Sequence, residues 1–150
     1  MSYLNIKSLA PAHYEQWLAL FHGYAHYYNY PVTAESIANT WGWLMNANYP
    51  VTGFVAELDG SLVGFAHCRA MPSPLRGEEI GFLDDVFVDP ECRGMGVADR
   101  LIEAVKEEGI EQGWPIIRWI TRDNNYRAKA LYDQIATKSN WDTYELKCEN

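Results

Sequence analysis

The chain opens on "YLNIKSL" (3–9), where apolar Leu4 and Ile6 alternate with polar Asn5 and Lys7, the period-two signature of a strand. Pro11 then stands at an early helical position, and Trp17, Leu18, Phe21, Tyr24 and Ala25 recur at helical spacing. A helix over 11–28 follows, stopped by Pro31, which lacks the amide a helix needs. Thr33 reads as an N-cap for a second helix over 33–47, with Ser36 in its first turn. Next comes a hairpin. Strands 54–58 and 62–69 flank Asp59-Gly60, a pair that accepts positive φ at both central positions. "PSPLRGEE" (72–79) reads as a loop, "IGFLDDVFV" (80–88) as a strand ended by Asp89-Pro90, and 96–113 as a helix with Leu101, Ile102 and Val105 on one face. "PIIRWIT" (115–121) reads as a buried strand, "NNYRAKALYDQIA" (124–136) as a helix and "WDTYELKC" (141–148) as a last strand.

The predicted order is β-α-α-β-β-β-α-β-α-β. A meander followed by a β-α-β crossover predicts a mixed sheet in which 80–88 and 115–121 are parallel neighbours. The fold class is therefore α/β with an α+β-type mixed sheet. In such sheets ligands bind at the carboxyl ends of strands, near a switch in strand order. The segment "DPECRGMGVADRL" (89–101) lies at such an end. No repeat, low-complexity tract or linker divides the chain, so one domain over 1–150 is expected.

Composition narrows the function classes. A hydrophobic content of 48% fits a folded domain with a core. No apolar stretch approaches about eighteen residues, so no membrane span is expected. The first residues show no basic segment followed by an apolar block, so no secretory leader is expected either. Cys68, Cys92 and Cys148 are scattered and odd in number, which favours reduced thiols and a cytoplasmic protein over disulfides or a zinc site. The net charge of −8 disfavours nucleic acid as a partner. It favours a cationic partner or substrate, and it also serves solubility.

Arg93, Gly94 and Gly96 stand where a strand hands over to a helix. Glycines let backbone N–H groups approach an anion, and a helix N-terminus adds unpaired donors and a favourable dipole. A glycine-rich turn with a cap is the other reading of the same residues. The Lys-Ser/Thr pair of a P-loop is missing, and Asp99 occupies the third glycine position of a dinucleotide fingerprint.

Two motifs go further. "VDPECRGMGVADRLI" resembles motif A of the GNAT superfamily of N-acetyltransferases, Gln/Arg-x-x-Gly-x-Gly/Ala, through Arg93, Gly96 and Ala98. "NNYRAKALYDQIA" resembles motif B through Asn125, Ala128, Leu131 and Tyr132, and "FLDDVFV" is similar to the family's fourth strand. With the ending "WDTYEL", that strand looks closest to the polyamine- and histone-acetylating subgroups. The resemblance implies a GNAT-like domain with a mostly antiparallel sheet, a splayed parallel strand pair and flanking helices. It implies acetyl-CoA as cosubstrate, a primary amine as acceptor and no metal. The acceptor would be a small cationic amine such as a polyamine, or a lysine or amino-terminal amine of a basic peptide. Homodimers are common in the family and are expected here.

Carried over residue by residue, the resemblance places the pantetheine arm against Val86, Phe87 and Val88. It places the pyrophosphate on the amides of Gly94, Met95, Gly96, Val97, Ala98 and Asp99, with Arg93 at the loop's edge, acting more through backbone than guanidinium. It also assigns Asn125 to the pantetheine or an ordered water, whereas the residue pattern alone equally suits a helix cap. Direct attack in a ternary complex needs no protein nucleophile. It needs a base for the ammonium and an acid for the leaving thiolate. Tyr132 is the expected acid, since a phenol ordinarily titrates near 10 and stays protonated at neutral pH. A carboxylate stands at the position of Asp84 in the closest subgroup, which makes Asp84 the expected base, directly or through water. Asp84 and Asp85 are adjacent in a strand and so are expected to face opposite sides. Together they would attract an ammonium.

The helix end "HGYAHYYNYP" (22–31) gathers Tyr24, Tyr27 and Tyr28, which would hold a cation on their ring faces or pack on the core. His22 and His26 have an i, i+4 spacing but no accompanying Glu motif. A coenzyme A-binding regulatory module without turnover is the alternative from a different class. A further departure from the family is the absence of Gly-Phe after motif B, in "LYDQIATKSNWDTYEL".

Overall fold

In the computed structural model, which describes residues 3–149, Asp59 and Gly60 take φ of 51° and 87° and close the predicted hairpin. The hairpin strands are longer than their apolar runs. β2 (Val51–Leu58) and β3 (Ser61–Ser73) pair antiparallel, and β3 pairs in turn with β4 (Glu78–Val88), so much of the predicted 72–79 loop is ladder. β1 (Leu4–Ser8) lies antiparallel on β2, and β5 (Ile117–Arg118) lies parallel to β4. The sheet order is β1-β2-β3-β4-β5, the mixed and mostly antiparallel sheet expected.

A short 3-10 turn at Pro11–His13 leads into α1 (Tyr14–Tyr27). Thr33 caps α2 (Ala34–Leu44): its hydroxyl accepts from the Ser36 amide at 3.0 Å, and the Ser36 hydroxyl accepts from the Thr33 amide at 2.9 Å. α3 (Val97–Gln112) supplies the crossover and ends at Gly113, with φ 81°. These elements form a unit that runs to Trp119, and a second unit begins at Ile120. The second unit holds α4 (Tyr126–Ile135).

Two apolar layers cover the sheet. Trp17, Leu20 and Ile37 from the first two helices pack with Val55, Leu62, Phe65 and Phe87. Val97, Leu101, Ile102 and Val105 of α3 are also buried, and Val97 and Leu101 lie over Gly64 of β3. Gly64 lies under α3. A Cβ there would meet the Phe87 carbonyl oxygen at 2.8 Å and Leu101 Cδ1 at 3.2 Å. Gly64→Ala is therefore expected to cost about 1–3 kcal/mol by overpacking, read as a lowered Tm. Gly42→Ala is the control. Its Cβ would enter open space within α2, and replacing a mid-helix glycine there is expected to raise stability by up to about 1 kcal/mol.

Two elements differ from expectation. β5 is two residues long, although the apolar run is seven, because only Gly81↔Ile117 and Phe82↔Arg118 pair. Just beyond, the β3–β4 register jumps: His67 faces Asp85 and Cys68 faces Leu83, so Asp84 is the extra residue of a bulge. Bulges bend a strand and increase its twist. The β4–β5 pairing ends at Phe82, two residues before this bulge. The predicted strand 141–148 does not form. Residues 137–149 carry no regular structure, with Trp141, Tyr144 and Leu146 exposed. A single strand without a partner has no ladder to hold it, and α4 is the regular element of its unit among the described residues.

Candidate active site

The glycine loop follows from its dihedrals. Asp89 caps a 3-10 turn at Pro90–Cys92, its carboxylate accepting from the Glu91 amide at 3.0 Å. Gly94 and Gly96 then take φ of 81° and 77°. A Cβ at either would meet nothing within 4 Å, so the left-handed backbone is what demands glycine there. Gly96 is the N-cap of α3 and offers no side-chain acceptor. The amides of Val97, Ala98 and Asp99 in the first turn thus lack an intrahelical partner and sit at the positive end of the helix dipole. Buried Val97 anchors this turn, while Gly94, Met95 and Gly96 are exposed. Arg93 lays its guanidinium over the Tyr27 ring, 5.3 Å from the centroid, which engages the side chain away from the loop amides.

Val86, Phe87 and Val88 lie on the stretch of β4 past its last pairing with β5. They pair with Ala66, Phe65 and Gly64 of β3 on one edge, and among the described residues no strand pairing continues along the other edge. Alternate backbone groups along that free edge point out of the ladder, as an extended amide-bearing ligand would require. The donors of the loop and the edge of the strand meet at the β4–α3 junction.

Asp84 and Asp85 correct the expectation of opposite faces. Arg69 Nε donates to both oxygens of Asp84, at 2.9 and 3.1 Å, and His67 Nδ1 lies 2.9 Å from Asp85 Oδ2. His67 and Arg69 are two apart on β3 and share a face, so the bulge has brought both carboxylates to that face. Their environments differ. Burial pushes the Asp84 carboxyl up, and the neighbouring Asp85 adds to this, against the opposing hydrogen bond and charge of Arg69. Burial acts on Asp85 too, but the hydrogen bonds from His67 and from the Tyr24 hydroxyl outweigh it and hold its carboxyl below the usual range. The two adjacent carboxyls are thereby shifted in opposite directions.

α1 supplies the other wall. Tyr24 packs its ring on Phe65 and Phe87 and donates its hydroxyl to Asp85 Oδ1 at 2.6 Å. Burial, then the charge of Asp85, raises the Tyr24 phenol far above its ordinary value, so it remains a donor. Tyr28 contacts Tyr24 and Tyr27 edge-on, at 5.2 and 5.0 Å between centroids. Of the two readings of the helix end, Tyr24 takes the second and packs on the core, and its hydroxyl also reaches the acidic pair. A continuous path of aromatic rings joins Arg93, at the loop, to Asp85. Among the described residues, no group of three or more His, Cys, Asp or Glu is placed to hold a metal ion.

Two thiols, Cys68 and Cys92, are poorly suited to attack. Burial, Glu108 and Asp84 push Cys68 up to about 12, and burial with Asp89 and Glu91 raises Cys92.

In the second unit Asn125 caps α4, its Oδ1 accepting from the Ala128 amide at 3.3 Å. Tyr132 is half-buried, seven residues on, and so on about the same helix face as Asn125.

Three residues of this site escape a pattern-based reading: Trp17, His67 and Arg69. The signal for two of them lies in "GFAHCRAM" (64–71), where a histidine and an arginine at i, i+2 interrupt an apolar strand on one face.

Known proteins carry the same fold. An aminoglycoside N-acetyltransferase, AAC(6')-Iy, solved in complex with CoA, superposes with a TM-score of 0.87 at 22% identity, covering 99% of this chain and 97% of that one. In sequence the chain is 28% identical over 142 residues to a D-amino-acid N-acetyltransferase of Saccharomyces cerevisiae, covering 93% of this chain and 88% of the relative. It is also 28% identical to a thialysine N-epsilon-acetyltransferase of Caenorhabditis elegans, across 97% of this chain and 93% of that protein. The family model "Acetyltransferase (GNAT) family" matches residues 16–136. The chain belongs to this family and is by class an acetyl-CoA-dependent acyltransferase.

Proposed function

We propose that the protein moves the acetyl group of acetyl-CoA to the primary amine of a small cationic molecule, by direct attack in a ternary complex. The observation that carries this is the acidic pair Asp84–Asp85 on one face of the bulged strand, beside its free edge and the tyrosines of α1. Family membership spans both units of the chain, which supports their acting as one catalytic domain. Free cysteines at 68, 92 and 148 support a reducing compartment, the cytoplasm. The exposed apolar residues of 137–149 support a homodimer.

Each group then has a task. Asp85, held charged, draws the ammonium in. Tyr24, Tyr27 and Tyr28 surround it with ring faces. Asp84, with its raised carboxyl, takes the proton and frees the amine lone pair. The nitrogen bonds to the thioester carbon, the carbon–sulfur bond breaks as Tyr132 gives its phenolic proton to the sulfur, and the second proton of the acylated nitrogen passes to the tyrosinate, leaving a neutral amide and a restored phenol. The loop amides from Gly94 to Asp99 bind the pyrophosphate, with Arg93 at the edge. The free edge at Val86, Phe87 and Val88 and the side-chain amide of Asn125 serve the pantetheine arm.

The relatives that act on amino acids, together with Arg69, favour an amino-acid-like acceptor over a polyamine. Only Nε of that guanidinium is used in hydrogen bonds among the described residues, and its remaining donors suit a carboxylate. CoA release measured across amino acids, polyamines, aminoglycosides and basic peptides tests the function. Highest kcat/KM is expected with a small cationic amine. Acetyl-CoA binding without turnover on the whole panel would instead make the chain a binding module.

The loop makes its own prediction. Gly96→Val forces a β-branched residue into left-handed backbone, at about 1–3 kcal/mol of strain, and is expected to weaken acetyl-CoA binding by about tenfold or more. Arg93→Ala is expected to cost less than about fivefold, the worth of one exposed ion pair. Titration calorimetry with CoA decides the order, and the reverse order would make the guanidinium the phosphate ligand.

A further inference from the structure

We infer that Trp17 and His67 are positioning residues for the acceptor amine, acting through a one-way chain of hydrogen bonds that ends at Tyr24. Trp17 Nε1 donates to His67 Nε2 at 3.1 Å, and both side chains are buried. An indole N–H can only donate, so Nε2 must accept. The ring proton then sits on Nδ1, which donates to Asp85 Oδ2 at 2.9 Å. The other oxygen, Oδ1, accepts from the Tyr24 hydroxyl at 2.6 Å. Every proton in the chain thereby has a fixed address.

The consequence falls on Tyr24. Its single proton is committed to Asp85, so its oxygen offers only lone pairs to an arriving group. An ammonium, with three N–H donors and no acceptor, matches that surface, and a hydroxyl or amide acceptor gains nothing from it. Trp17 and Tyr24 lie seven residues apart on α1, on about the same face, so the chain leaves the helix, crosses β3 and β4 and returns to it. His67 stacks on Phe65 at 4.6 Å between ring centroids, which fixes the imidazole plane. The titratable and charged groups around it are Tyr24 from α1, Asp84 and Asp85 from β4, and Arg69 two residues along β3. From α2 the Trp41 indole, which does not titrate, packs on Trp17 at 4.9 Å between ring centroids.

Two measurements test this. The first needs no substrate. Long-range proton–nitrogen NMR of the wild-type protein at about pH 8 is expected to show His67 as the Nδ1–H tautomer, and the Nε2–H tautomer would overturn the chain. The second rests on the amine acetyltransfer proposed above. With the best amine of the panel, His67→Phe is expected to raise the amine KM about tenfold or more, with kcat within about twofold. His67→Asn, whose amide N–H can take the place of Nδ1–H, is expected to restore the amine KM. Equal losses in the two variants would reduce His67 to a packing residue. Trp17→Phe keeps an aromatic ring but removes the donor, and is expected to release the tautomer preference. If no amine is acetylated, the proposed function fails while the tautomer measurement still decides the chain.

Discussion

Tyr132→Phe is expected to lower kcat by about 10²- to 10⁴-fold while leaving acetyl-CoA binding within a few-fold, the range associated with removing a general acid. Phenylalanine keeps the ring and the helix propensity of this half-buried position in α4 and removes the hydroxyl. Steady-state kinetics gives the size of the effect. The dependence on the leaving thiol gives its cause. An acetyl thioester of a more acidic thiol needs less help in departing, so the defect is expected to shrink with such a donor. A variant that keeps most of its kcat with every amine, or a defect equal for all thioesters, would remove Tyr132 from proton transfer.

Asp84→Asn is expected to lower kcat/KM by about 10²-fold or more, because an amide takes no proton from the ammonium. The pH dependence follows from the raised carboxyl. As pH falls through its pKa, Asp84 becomes protonated and the wild-type rate declines. Arg69→Met removes the cation that pulls this carboxyl down, so the acid limb is expected to move to higher pH. Stability runs the other way. The folded state binds the Asp84 proton more tightly than the unfolded chain, whose carboxyl titrates near 3.9, so this group's contribution to stability falls as pH rises between the two values. Asp84→Asn removes that penalty at neutral pH, and a Tm equal to or above wild type is expected alongside the lost activity. A variant that loses activity and stability together would mark Asp84 as half of a structural pair with Arg69.

What could be read from the residues was what depends on near neighbours. Asp59-Gly60 announced its turn because both positions need positive φ. Thr33 and Ser36 announced a cap, and Gly94 and Gly96 announced a loop feeding a helix, for the same local reasons. The crossover order then placed β4 beside β5 and the loop at the strand's carboxyl end. The bulge at Asp84 was not legible. "FLDDVFV" alternates no differently with or without it, and the extra residue is defined only by the register of β3. The shared face of Asp84 and Asp85 follows from that register. His67 and Arg69 stood in plain view, but their partners lie 18 and 15 residues away on the next strand. Residues 141–148 illustrate the converse case. Their alternation suits a strand, but a strand needs a neighbour, and no local pattern supplies one.

The central claim is that the amine attacks the thioester directly, with no acetylated protein in between. The raised thiols of Cys68 and Cys92 agree with this. Rapid mixing of enzyme with acetyl-CoA, with and without the best amine, followed by CoA release and intact mass, tests it most directly. The account predicts no CoA burst and an unmodified protein without amine, and one CoA per N-acetylated product once amine is added. A stoichiometric burst with an acetyl adduct on the protein, chased to product by amine, would contradict it.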